Sequence, residues 1–116
     1  MPAKQSSLSG RLITLPQKKY ELQVEILNKS EGAEATSLLM AQIREIAMTQ
    51  ALADPTNTNE TKRKNAIALL LRDTPHYQEL ETTQRALSRE ITMHRIRLEQ
   101  LNDEIRVSIA ILGASE

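Results

Sequence analysis

The sequence predicts an all-α protein: a helical hairpin, or antiparallel coiled coil, with a long C-terminal helix, assembled into an oligomeric helical bundle. Three observations carry this. Apolar residues recur at alternating spacings of three and four from Tyr77 to Leu112, the period of a helix lying along another helix. A shorter stripe of the same kind lies upstream and ends at Asp54-Pro55. A helix over residues 75–112 would span roughly 57 Å at about 1.5 Å per residue, whereas a compact globule of this size has a radius of gyration near ~13 Å.

Taken in order, residues 1–15 read as a flexible tail. The first ten hold three serines, Pro2 and Gly10, with Leu8 the only large apolar residue after Met1, too little burial to offset ordering entropy. Residues 16–113 form a single helical domain with helices at about 16–30, 33–53, 61–73 and 75–112. The stretch 12–29 has two readings. Tyr20, Leu22, Val24 and Ile26 alternate with polar residues as a strand does, and residues 12–15 could pair with it as a hairpin. Tyr20, Val24 and Leu27 also suit a helix with Pro16 in its first turn, which the Leu, Gln, Glu and Lys content favours.

In residues 33–53, Leu39, Ile43, Ile46, Gln50 and Ala53 make the stripe, widened by Leu38, Met40, Ala47, Met48 and Leu52. Pro55 stops the helix, and residues 54–60 are a polar turn. The next helix buries Ala66, Ile67, Leu70 and Leu71, and Asp73-Thr74-Pro75 either breaks it or kinks one bent helix over 61–112. The last helix starts with Thr74 as a side-chain cap and Pro75 at its first position, and Gly113 stops it in a left-handed conformation. Its seam is Tyr77, Leu80, Gln84, Leu87, Ile91, His94, Leu98, Leu101, Ile105, Ser108 and Leu112.

Because residues 33–53 reach only about half as far as this helix, the seam residues Tyr77, Leu80, Leu87, Ile91, His94, Leu98, Leu101, Ile105 and Leu112 are expected to serve both as core against the upstream helix and as oligomer surface. Val107, Ile109, Ala110, Ile111 and Leu112 are apolar on every side and would be buried all round in a homodimer or higher homo-oligomer. His94 could act as a metal ligand or pH switch, but a buried histidine that fixes register is the simpler reading. His76 stands about 27 Å from it along a helix, so the two share no metal within one chain.

Composition excludes several functions. Fifteen Lys and Arg balance fifteen Asp and Glu, so no global field attracts nucleic acid or an anionic membrane. Cysteine, Phe and Trp are absent, which removes thiol chemistry and base-stacking platforms. No nucleophile elbow, HExxH or Walker spacing occurs; the expectation is no enzyme, no cofactor and no metal. Neither a membrane span nor the apolar core of a secretory signal is visible, so the expected location is cytoplasmic. Lys62, Arg63, Lys64 and Arg72 lie in twelve residues without an acid and are the candidate nucleic-acid contacts. Residues 1–30 carry five basic and two acidic residues, 31–60 one and five, an asymmetry suited to head-to-tail contact between chains.

Over residues 36–112, one order of features stands out: Ile43, Ile46 and Ala47, a polar turn, Lys64-Asn65-Ala66, then Tyr77 with Leu80 opening the heptad helix. This order resembles a group of small helical-hairpin proteins encoded by bacteriophages and prophages, often beside single-strand annealing and recombination genes. The step departs from the pattern in running on into Ile67-Ala68-Leu69-Leu70 rather than a further Arg or Lys. The resemblance implies an accessory role in DNA recombination or replication. The residues themselves point first to a non-catalytic, oligomerising scaffold or interaction protein, with itself and another protein as partners. A DNA-binding accessory protein is the alternative.

Overall fold

The structure is a computed structural model describing the backbone of residues 3–114 and the side chains of residues 10–114. It contains α1 (Ala3–Ala53), α2 (Glu60–Arg72) and α3 (Pro75–Ala114), with no strand among the described residues. The fold is an all-α helical hairpin in which α1 and α3 run antiparallel. No helix among the described residues is long and apolar enough to cross a membrane.

The largest correction concerns α1. The expected loose tail is helical from Ala3, the hairpin reading of residues 12–29 fails, and the break between residues 30 and 33 is absent. Pro16 lies inside the helix, where it removes one ladder bond. No glycine among the described residues has positive φ, so Gly32 does not turn the chain; its carbonyl accepts from Thr36 Oγ1 at 2.8 Å.

Why the helix continues is visible in its buried face. Leu12, Leu15, Lys19, Leu22, Ile26, Lys29, Ala33, Thr36, Met40, Ile43 and Ala47 are all buried or half-buried, at spacings alternating three and four without a slip. One glycine costs a helix about 1 kcal/mol, and packing along such a seam outweighs it.

The chain divides into two compact units. One comprises the described residues of Met1–Ser30 and Arg89–Glu116. Here Leu15, Ile91, Leu101 and Ser108 are buried. Lys29 Nζ meets Glu90 Oε2 at 2.8 Å, and His94 Nε2 lies 3.3 Å from Glu25 Oε2. Partners descending in α1 as they ascend in α3 mark the antiparallel register.

The other unit is Glu31–Ser88. Met40, Tyr77 and Leu80 form its core, with Ile43 and Leu71 packed against them. Arg44 Nη1 donates to Tyr77 Oη at 3.1 Å, and Gln84 Nε2 donates to Ser37 Oγ. α2 contributes no fully buried residue; Ala66, Ile67, Leu70 and Leu71 are half-buried.

At the α2–α3 junction the chain breaks rather than kinks. Asp73 N–H donates to Leu69 O at 2.9 Å. Thr74 Oγ1 turns back to donate to Leu70 O at 2.7 Å, while its backbone carbonyl accepts from Tyr77 and Gln78. The expected role of its side chain as the cap of α3 is thereby corrected: the hydroxyl closes α2. Gly113 does not end α3, which continues to Ala114.

Candidate functional site

All eleven seam positions of α3 are buried or half-buried. Tyr77, Leu80, Ile91 and Leu101 are buried, and Leu87, His94, Leu98, Ile105 and Leu112 are half-buried. As a core seam it is covered within the chain. α1 has 51 residues instead of the expected 21, so it supplies within the chain the cover that a second copy was to provide. Two of its three polar members meet side chains of α1: Gln84 Nε2 donates to Ser37 Oγ, and His94 Nε2 lies 3.3 Å from Glu25 Oε2. No buried side-chain nitrogen or oxygen among the described residues lacks a hydrogen-bond partner.

The stripe expected on residues 33–53 is corrected too. Met40, Ala47 and Ala51 are buried and Ile43 half-buried, whereas Leu38, Leu39, Ile46, Met48 and Leu52 are exposed. Besides Met40 and Ile43 the buried face uses small and polar residues, Ala33, Thr36, Ala47 and Ala51, leaving several larger ones outward. In the other unit Ile13, Tyr20, Val24 and Leu27 on α1 and Met93, Ile96, Val107, Ile109 and Ile111 on α3 are exposed. Most of the terminal run of α3 is thus exposed among the described residues.

The turn before α2 is built by side chains. Asp54 Oδ1 accepts from Thr56 N at 2.9 Å and from its Oγ1 at 2.7 Å, and these bonds, the backbone one first, hold the carboxyl below its usual range. Asn57 Nδ2 donates to Ala51 O at 2.8 Å, satisfying an end carbonyl of α1. Asn59 is the cap of α2 and accepts from Lys62 N at 2.9 Å.

This cap sets where the four basic side chains of α2 point. All four are exposed, yet they do not converge. Lys62 and Arg72 share the outward stripe. Arg63 Nε donates to Asn57 O at 3.3 Å, and Lys64 pairs with Glu60 at 3.3 Å on a different side of the helix. Arg72 Nε stands 3.9 Å from Asp73 Oδ1. Four cations close in sequence thus leave two on one face, because successive helical residues are about 100° apart.

No family model, curated protein or solved structure matches this chain.

No group of three His, Cys, Asp or Glu side chains among the described residues is placed to hold a metal. His76 lies exposed, 3.7 Å from Glu79. Lys29 and Glu90 perturb each other: the hydrogen bond between them raises the ammonium and lowers the carboxyl from their usual values. That pair ties α1 to α3. Sequence reasoning placed Leu38, Met48 and Leu52 beside the inward stripe and missed that they face outward, in a second heptad frame of Leu38, Ala41, Glu45, Met48 and Leu52 at spacings three, four, three and four.

Proposed function

We propose that this protein is a cytoplasmic, non-catalytic helical scaffold that works by associating with copies of itself and with another protein. The observation that supports this reading is where its large apolar side chains lie. Among the described residues fifteen are exposed, more than the six large ones that are buried (Leu15, Met40, Tyr77, Leu80, Ile91 and Leu101). Isolated exposed apolar residues are ordinary, but contiguous ones along helix faces are the usual mark of an interaction surface. Light scattering tests it: the expected particle mass is at least two chains, and a mass of one chain across the accessible concentration range overturns self-association.

A DNA-binding accessory protein of phage-type recombination or replication is the second reading. What favours it is the exposure of Lys62, Arg63, Lys64 and Arg72 on one 13-residue helix. Titration with single-stranded DNA decides it. Affinity on this reading falls with salt at a slope of roughly −0.7 per neutralised phosphate, and absence of binding at low salt removes it.

A further inference from the structure

The outward face of α1 in the unit Glu31–Ser88 is exposed, and the same unit carries a helix suited to it. Leu38, Ala41, Glu45, Met48 and Leu52 follow coiled-coil spacing and are all exposed, with Leu38 at 62 %, Met48 at 49 % and Leu52 at 60 %. Such a stripe is what a second helix packs against. Its charge is acidic: Glu31, Glu34 and Glu45 lie on this outer arc, and the one basic residue of the segment, Arg44, is turned inward to Tyr77 Oη.

α2 offers the complement. Lys62, Asn65, Leu69 and Arg72 stand at spacings three, four and three and are exposed. Leu69 is the sole large apolar member, 49 % exposed, with cations on the same stripe. We infer that α2 of a second copy docks antiparallel on the outer stripe of α1, seating its Leu69 against Met48 and its Arg72 against Glu45. The register follows from helix rise: Arg72 lies three residues past Leu69 and Glu45 three before Met48, each about 4.5 Å along its axis. Asn65 then falls beside Leu52 at the open end of α1.

Charge also weighs against one competitor. A second α1 laid on the same stripe, centred on Glu45, would set two Glu45 carboxylates against each other, and like charges across an interface are costly. The α2 helix brings a guanidinium to that station, at the expense only of Arg72's exposed 3.9 Å contact with Asp73, which contributes little.

This inference rests on the reading of the protein as self-associating, and a charge swap separates the two. Glu45→Arg and Arg72→Glu are exposed changes, and circular dichroism of each variant checks that helicity is kept. Sedimentation equilibrium on wild type, each single variant and the double variant reads the outcome. Each single change is expected to weaken association at least about tenfold by setting like charges together, and the double change to restore it. A monomeric wild type overturns self-association and this interface with it. An assembly that persists through both single changes, or a double variant no tighter than the singles, overturns only the α1–α2 pairing.

Discussion

Replacing Gly32 with alanine tests whether α1 is one helix. The residue sits in the helix interior without positive φ, and a Cβ built there meets only Leu87 Cδ1 at 3.7 Å, an ordinary van der Waals distance. The substitution therefore adds helix propensity of about 0.8–1.0 kcal/mol without strain. Unfolding entropy of about 2.1 cal/mol/K per residue comes to ~0.24 kcal/mol/K over this chain, so 1 kcal/mol corresponds to a rise of about 4 °C in melting temperature. The assay is thermal unfolding followed by circular dichroism, with urea denaturation as a second measure. Gly32→Pro supplies the opposite sign, since an interior proline costs about 3 kcal/mol. A Gly32→Ala protein that melts lower than wild type would refute the reasoning, because alanine loses stability there only if the glycine takes a conformation closed to other residues.

Three further outcomes follow from the packing. Leu101→Ala, at a side chain only 2 % exposed, is expected to cost about 2–5 kcal/mol in urea denaturation, as a cavity in a packed seam does. Asn59→Ala removes the oxygen that accepts from Lys62 N; the α2 amides should exchange faster in hydrogen-exchange measurements, by the equivalent of about 1 kcal/mol, while the α3 amides near Leu101 keep their protection. The Lys29–Glu90 pair gives a pH dependence with a defined sign. Glu90 sits below its ordinary 4.5 and Lys29 above its ordinary 10.5, so the carboxyl's contribution is present above pH 4.5 and lost as pH falls through its lower folded value. The ammonium's contribution is present below pH 10.5 and lost as pH rises through its higher folded value. Wild type should exceed Lys29→Met in stability by a constant amount from about pH 5 to about pH 9, with the difference closing in acid; a difference that grows in acid contradicts the pairing.

Some of this molecule was legible without a structure. The α3 seam was, because Leu and Ile occupy most of its stations and flanking residues are polar; all eleven positions are covered. The turn after Ala53 was legible because proline and the side-chain acceptors around it act locally, whereas the sequence left a break and a kink before Pro75 equally open. The path and facing of α1 were not. Its buried or half-buried stations include Lys19, Lys29, Ala33, Thr36 and Ala47, residues that look like surface until a partner helix is in place. Its outer face carries Leu38, Ile46 and Leu52, which look like core. Lys29 is buried only in part because Glu90 on α3 meets its ammonium, and Gly32 stays helical where Leu87 packs beside it. Local pattern decides where a helix is favourable and where it must end. Which face is inside depends on what another helix, distant in sequence, can cover and neutralise, and that only the tertiary structure decides.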